Sequence, residues 1–120
     1  MLVATAIFLS PISVSEFPLC KQSLDFLPEK REVILVPELV KICTCESGLK
    51  HFDSDGNVLR GEINPLDIGI CQINLKYHEA QAKKLGYDLF IEQDNIAYAN
   101  WLYQQQGTTP WKWSASCWNK

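Results

Sequence analysis

Four side chains set the first element: Leu39, Ile42, Cys43 and Glu46 recur at i, i+3, i+4 and i+7, the period of one helix face. Pro37 stands where a helix can begin, because the first turn has no use for the missing N–H, and Ser47-Gly48 marks the stop. Beyond Gly48 the helical period is lost. Residues 52–59 carry an Asp55-Gly56 turn between short apolar flanks, which predicts a small β-hairpin or an extended loop. An apolar run over 67–74 follows, interrupted by Gly69 and Gln72. Asn74 is a good N-cap for a helix over 75–85 that ends at Gly86. Tyr77, Ala82 and Leu85 give that helix only a narrow apolar face, so it should be partly exposed. Asp94 as N-cap and Gly107 as stop frame a further helix bearing Ile96, Ala97, Tyr98, Ala99, Trp101, Leu102 and Tyr103. It is apolar over much of its circumference and should run through the core. The pattern predicts an α+β fold, predominantly α, with its single domain over residues 37–120.

The chain ahead of Pro37 reads differently. Residues 2–9 are apolar and are followed by Ser10-Pro11 and the small residues Ser13-Val14-Ser15, a secretory signal or an N-terminal apolar segment over 1–15. No Lys or Arg precedes it, and it is far too short to span a bilayer. Residues 16–36 read as a linker, punctuated by Pro18 and Pro28, with Glu29-Lys30-Arg31-Glu32 as a solvated face and room for one helical turn.

Composition narrows the function classes. With 120 residues, 47% of them hydrophobic, the chain supports one small core. A net charge of −3 leaves no basic stripe for nucleic acid or an anionic membrane. Five cysteines in so short a chain suggest an oxidising compartment, and the odd count leaves at least one thiol unpaired. Cys43 and Cys45 are too close in sequence to bond each other comfortably, and no Cys or His pair near them has zinc spacing. Cys117 is expected to bond Cys45, closing a loop of roughly 70 residues worth on the order of 4 kcal/mol in the chain-entropy model. The Asp53-x-Asp55-Gly56-Asn57 cluster lacks the spacing and distal glutamate of an EF-hand and reads as a turn. No metal is expected.

The candidate chemistry rests on carboxylates. A glutamate on the buried stripe of a helix loses hydration, which favours its neutral form and suits Glu46 to donate a proton; the ordinary alternative is a glutamate turned into solvent. Asp67 is a second acid, and Gln72 is an amide inside an apolar run that must find partners. Three of the four tryptophans, Trp111, Trp113 and Trp118, fall in the tail. At least one should serve packing, while the others could stack on sugar rings.

Together, Glu46-Ser47-Gly48, the Gly69-x-x-Gln72-Ile73 run, the aromatic helix, Trp111 and Cys117-Trp118 resemble the catalytic domain of soluble (SLT-type) lytic transglycosylases over residues 38–118. Cys45-Glu46-Ser47-Gly48 with a later cysteine is similar to resuscitation-promoting factors, and Asp67-x-Gly69-Ile70-x-Gln72-Ile73-Asn74 to animal c-type lysozymes. The resemblance implies a lysozyme-like fold with a small β-hairpin lobe beside a cleft. It implies cleavage of the β-1,4 bond between N-acetylmuramic acid and N-acetylglucosamine in peptidoglycan, with Glu46 as general acid/base and Asp67 as second carboxylate. It further implies substrate contacts from Ser47, Gln72, Asn74, Tyr98 and Trp111. The expected protein is an exported monomer, periplasmic, cell-wall-associated or extracellular. It has no cofactor or integral membrane span, and its partner is the glycan strand.

Two positions depart from the SLT-type pattern. An acid at Asp67 is unusual there and leaves two outcomes open: retaining hydrolysis if it faces the anomeric carbon, or attack by the sugar's own 6-hydroxyl, giving an anhydro product, if it does not. Cys71 stands where the family carries an apolar residue and is expected to pack as a small hydrophobe. The rival from another class is a catalytically idle peptidoglycan-binding or structural module, which would not need Glu46. A cysteine nucleophile, Cys71 paired with His51 or His78, ranks last.

Overall fold

The computed structural model describes Glu32–Lys120. The apolar segment over 1–15, most of the 16–36 linker and Cys20 lie outside the described residues.

Helix α1, Pro37–Ser47, has Pro37 in its first turn and Glu38 beside the positive end of its dipole. It stops where Gly48 takes φ 69° and its N–H returns to the Thr44 carbonyl. Leu39, Ile42 and Cys43 are buried, as the period requires. The chain ahead of the helix is tied down: Val33 and Val36 donate backbone N–H groups to Gln93 and Asn100, and Asn100 Nδ2 donates to the Ile34 carbonyl.

The two-stranded antiparallel sheet, β1 (Asp67–Ile68) and β2 (Ile73–Asn74), pairs Asp67 with Asn74 and Ile68 with Ile73. It forms later in the chain than the Asp-Gly turn predicts. Residues 52–59 hold only an isolated Phe52–Val58 bridge. The turn there closes on itself through Asp53, whose Oδ1 accepts from the backbone of Asp55 and Asn57.

Asn74 caps α2, Leu75–Lys84, accepting from Tyr77 N at 3.3 Å. Only Ala82 of this helix is buried. Helix α3, Glu92–Gln106, stops at Gly107 as predicted but starts two residues before Asp94. Asp94 sits inside the first turn and accepts from Asp88 N at 2.9 Å, holding the entry loop rather than capping the helix. Six residues of α3 are buried. A 3-10 helix, Thr109–Ser114, kinked at Trp111, leads into the four-residue α4, Ala115–Trp118.

The core gathers Leu39, Ile42 and Cys43 of α1, Ile68, Ile70, Cys71 and Ile73 of the hairpin, Tyr98, Ala99 and Leu102 of α3, and Trp111. Two disulfides staple it. Cys45–Cys117 is present as predicted. Cys43 and Cys71 bond each other rather than packing as free hydrophobes, so α1 and the β1–β2 turn are joined through the middle of the core. Two positions apart on α1, Cys43 and Cys45 project to nearly opposite sides of one turn and each bonds a different neighbour instead of the other. The described chain is a small α+β domain, mostly helical, as the pattern predicts.

Candidate functional site

Glu46 occupies the last turn of α1, where the helix end meets the β hairpin on one side and the 3-10 helix on the other. Burial pushes its carboxyl above the ordinary carboxylate range. The Ser114 hydroxyl, 2.5 Å from Oε2, opposes that rise, and the negative charge of Asp67 adds to it. The carboxyl is therefore poised to hold a proton at higher pH than a solvated glutamate, beside a second acid in its own groove.

That groove has two open lobes meeting at Glu46. One, about 590 Å³, runs over Asn74, Tyr77, His78, Gln106, Pro110 and Trp111. The other, about 700 Å³, runs over Ser47, Arg60, Gly61, Glu62, Ile63 and Ser114. Glu46, Asn64, Asp67, Gln72 and Trp113 line both. Three of the most exposed large apolar side chains lie along it: Ile63, Trp113 at 90% and Tyr77 at 71%. An open groove rimmed by exposed apolar groups, with polar groups converging at its middle, is the form of a binding site.

The β hairpin is built to present Asp67 and Gln72. Gly69, at its turn, has φ 79°, and a Cβ there would lie 2.5 Å from Asn95 Nδ2 and 2.6 Å from His51 Cε1. No other residue fits. Asn95, fully buried, accepts from Cys71 N and donates to the Ile68 and Leu89 carbonyls, so one amide of α3 holds both sides of the turn. His51, also buried, accepts from Ile70 N at Nδ1 and reaches the Phe90 carbonyl with Nε2. Gln72 is forced to φ 50° and donates to the Gly69 carbonyl. Backbone held in this region at a non-glycine residue is a frequent mark of a functional site. Under it, Gly61 admits Gln72 closely: a Cβ would lie 2.5 Å from the Asn64 carbonyl and 3.0 Å from Gln72 Oε1.

The sequence-predicted residues separate into two groups. Glu46, Asp67, Gln72, Asn74 and Trp111 are brought together in the lobe that holds His78, and Ser47 borders the other lobe. Asn74 Nδ2 donates to Asp67 Oδ1 at 2.8 Å and fixes its direction across β1 and β2. Trp111 is buried, its Nε1 donating to the Cys71 carbonyl, so it forms a wall rather than a platform. Ser47 donates to the Ile70 carbonyl at 2.6 Å and ties α1 to the hairpin. Tyr98 is not brought to the groove surface. It is fully buried, 2.9 Å from His78 Nδ1, and burial lowers His78 and raises Tyr98 from their ordinary values. Cys71, in a disulfide, has no thiol, and His51 is occupied on both ring nitrogens, so the cysteine-nucleophile reading is corrected.

Two positions beside Glu46 are not singled out by the sequence. Ser114 carries no periodic or motif signal, since it meets Glu46 from 68 positions away. Trp113 is legible as a tail aromatic, but only the fold separates it, exposed, from the buried Trp111. Among the described residues no group of three or more His, Cys, Asp or Glu could hold a metal, and no helix is long and apolar enough to cross a membrane.

Comparison of the chain with protein-family models, with curated proteins and with solved structures returns no match.

Proposed function

We propose that this protein cleaves glycan strands, acting on the β-1,4 bond between N-acetylmuramic acid and N-acetylglucosamine of peptidoglycan with Glu46 as general acid/base. The observation that carries the reading is a half-buried carboxyl, held toward its protonated form, at the middle of a two-lobed groove with a second carboxylate and exposed aromatic side chains along it. A groove open on both sides of the acid suits a polymer threaded through it better than a small molecule engulfed by it. The lysozyme-like resemblance of the motifs supplies the substrate class, and the two disulfides are compatible with export to an oxidising compartment.

In the proposed reaction Glu46 gives its proton to the glycosidic oxygen, the C1–O bond breaks, and its electron pair leaves with that oxygen. The Glu46 carboxylate then takes a proton from the attacking hydroxyl. When water attacks, the product has a reducing end; when the muramic acid 6-hydroxyl attacks, it is a 1,6-anhydro sugar. In the hydrolytic course Asp67, directed by Asn74, stabilises positive charge at the anomeric carbon; in the anhydro course it has no such part.

The test is mass spectrometry of the muropeptides released from purified peptidoglycan by the oxidised protein, by Glu46→Gln and by Asp67→Asn. Glu46→Gln is expected to lose release by at least about a hundredfold. Anhydro products retained by Asp67→Asn assign a lytic transglycosylase; reducing-end products lost in both variants assign a two-carboxylate hydrolase. A protein that binds the glycan and releases nothing overturns the enzyme and leaves a binding module.

A further inference from the structure

Among the described residues the Glu46 carboxyl is bonded on one oxygen. Oε2 accepts from Ser114 Oγ at 2.5 Å, while among the described residues no hydrogen bond is made to Oε1. Ser114 itself is constrained. Its Oγ accepts from Trp118 Nε1 at 2.9 Å, and an indole N–H can only donate. The single hydroxyl proton must then go elsewhere, either to Glu46 Oε2 at 2.5 Å or to the Trp111 carbonyl at 3.1 Å. The shorter bond to a charged or partly charged acceptor wins. With Glu46 ionised, the chain Trp118 to Ser114 to Glu46 therefore has one direction, and Oε1 is the oxygen left to take up the next proton. The chain is also anchored at both ends, because Cys45, next to Glu46, is bonded to Cys117, next to Trp118.

We propose that Ser114, oriented by the Trp118 indole, is a positioning residue that engages Glu46 Oε2 and so leaves Oε1 as the oxygen that carries the transferable proton into the groove. This rests on the glycan-cleaving reading for its catalytic meaning, though not for the hydrogen-bond chain. A carboxyl free to turn would offer its proton from either oxygen and in several directions. One oxygen held by a hydroxyl gives a single direction, and a misdirected proton donor costs rate rather than affinity. The bond also favours the ionised carboxylate, so it moderates the rise that burial and Asp67 impose. The other titratable groups that share the groove, Tyr77 and His78 of α2, Lys112 of the 3-10 helix and Arg60 and Glu62 of the opposite lobe, make no hydrogen bond or ion pair to the carboxyl.

The experiment follows the Glu46 side-chain carboxyl by carbon-13 NMR titration in the full, oxidised protein, alongside kcat, KM and the pH profile of glycan cleavage. Ser114→Ala is expected to move the Glu46 titration upward, shift the high-pH limb of cleavage in the same direction, and lower kcat on the order of tenfold with KM nearly unchanged. Ser114→Thr, which keeps the hydroxyl, should restore both. Trp118→Phe, which keeps the ring and removes the donor, should produce a smaller upward move and keeps the question answerable if Ser114→Ala does not fold. An unchanged Glu46 titration in a folded Ser114→Ala protein would overturn the proposal. So would an unmoved kcat in a protein whose wild type cleaves glycan. A titration that moves as expected in a protein that cleaves no glycan supports the hydrogen-bond chain and overturns the glycosidase reading instead.

Discussion

Glu46 is half-buried, with Ser114 bonded to one carboxyl oxygen, and that balance sets two measurable behaviours. Its carboxyl is raised from 4.5 by burial first, with Asp67 adding and Ser114 opposing. A group raised in the folded state binds its proton more tightly there than in the unfolded chain. Its contribution to stability is then complete below pH 4.5 and is lost as pH rises through the raised value. Glu46→Gln, isosteric and never charged, should therefore melt at a higher temperature than wild type at neutral pH, with the gap closing below pH 4.5; calorimetry across that range checks it. A gap that stays constant with pH would mean that charge is not its cause. The same sign governs catalysis: cleavage that needs protonated Glu46 falls as pH rises through the raised value. Gly69 shows the opposite kind of residue, one defined by having no side chain, because Asn95 and His51 fill the space where a Cβ would stand.

Among the elements, the helix that carries Glu46 and the short C-terminal helix depend on each other. Helix α4 has four residues, too few to be stable alone, and is held by Cys45–Cys117 and by packing on α1. The Cys43–Cys71 bond, with both residues fully buried, holds the other face of α1 to the hairpin. Loops closed over 28 and 72 residues contribute about 3 to 4 kcal/mol each in the chain-entropy model. Accessibility separates them, since Cys117 is exposed and Cys45 half-buried. Brief treatment with a small thiol followed by alkylation and peptide mass mapping should label Cys45 and Cys117 well before Cys43 and Cys71. Equal labelling would show that the whole domain opens before either bond is reached. The α3 start belongs to this scale too. Asp94 has the chemistry of a cap, yet the helix begins two residues earlier because Asp94 holds the Asp88 loop from within the first turn.

For the molecule as a whole, the groove is where burial has been forgone. Trp113 is 90% exposed, with the Lys112 ammonium 5.2 Å from its ring centre, while Trp111 two positions earlier is buried. Trp113 lines both lobes beside Glu46, so Trp113→Ala should weaken glycan binding roughly three- to tenfold, within the range of aromatic stacking, without changing the melting temperature. Binding measured with Glu46→Gln, which cannot turn the glycan over, reads this directly. Undiminished binding would make Trp113 a bystander.

The elements were largely written in local order. Period, proline and glycine placed α1, α2 and the end of α3, since those signals act within one or two turns of the chain. The Glu46 stripe position and the Cys45–Cys117 bond were likewise legible. The Cys43–Cys71 bond, the burial of Tyr98, the sorting of Trp111 from Trp113 and the Ser114 contact were not. Each depends on which surfaces meet across 28 to 68 residues of chain, and residue type carries no record of that distance. Ser114 is the plainest instance: in sequence it is one of two serines among the tail tryptophans, and only the packing of the 3-10 helix and α4 against α1 brings its hydroxyl to the Glu46 carboxyl.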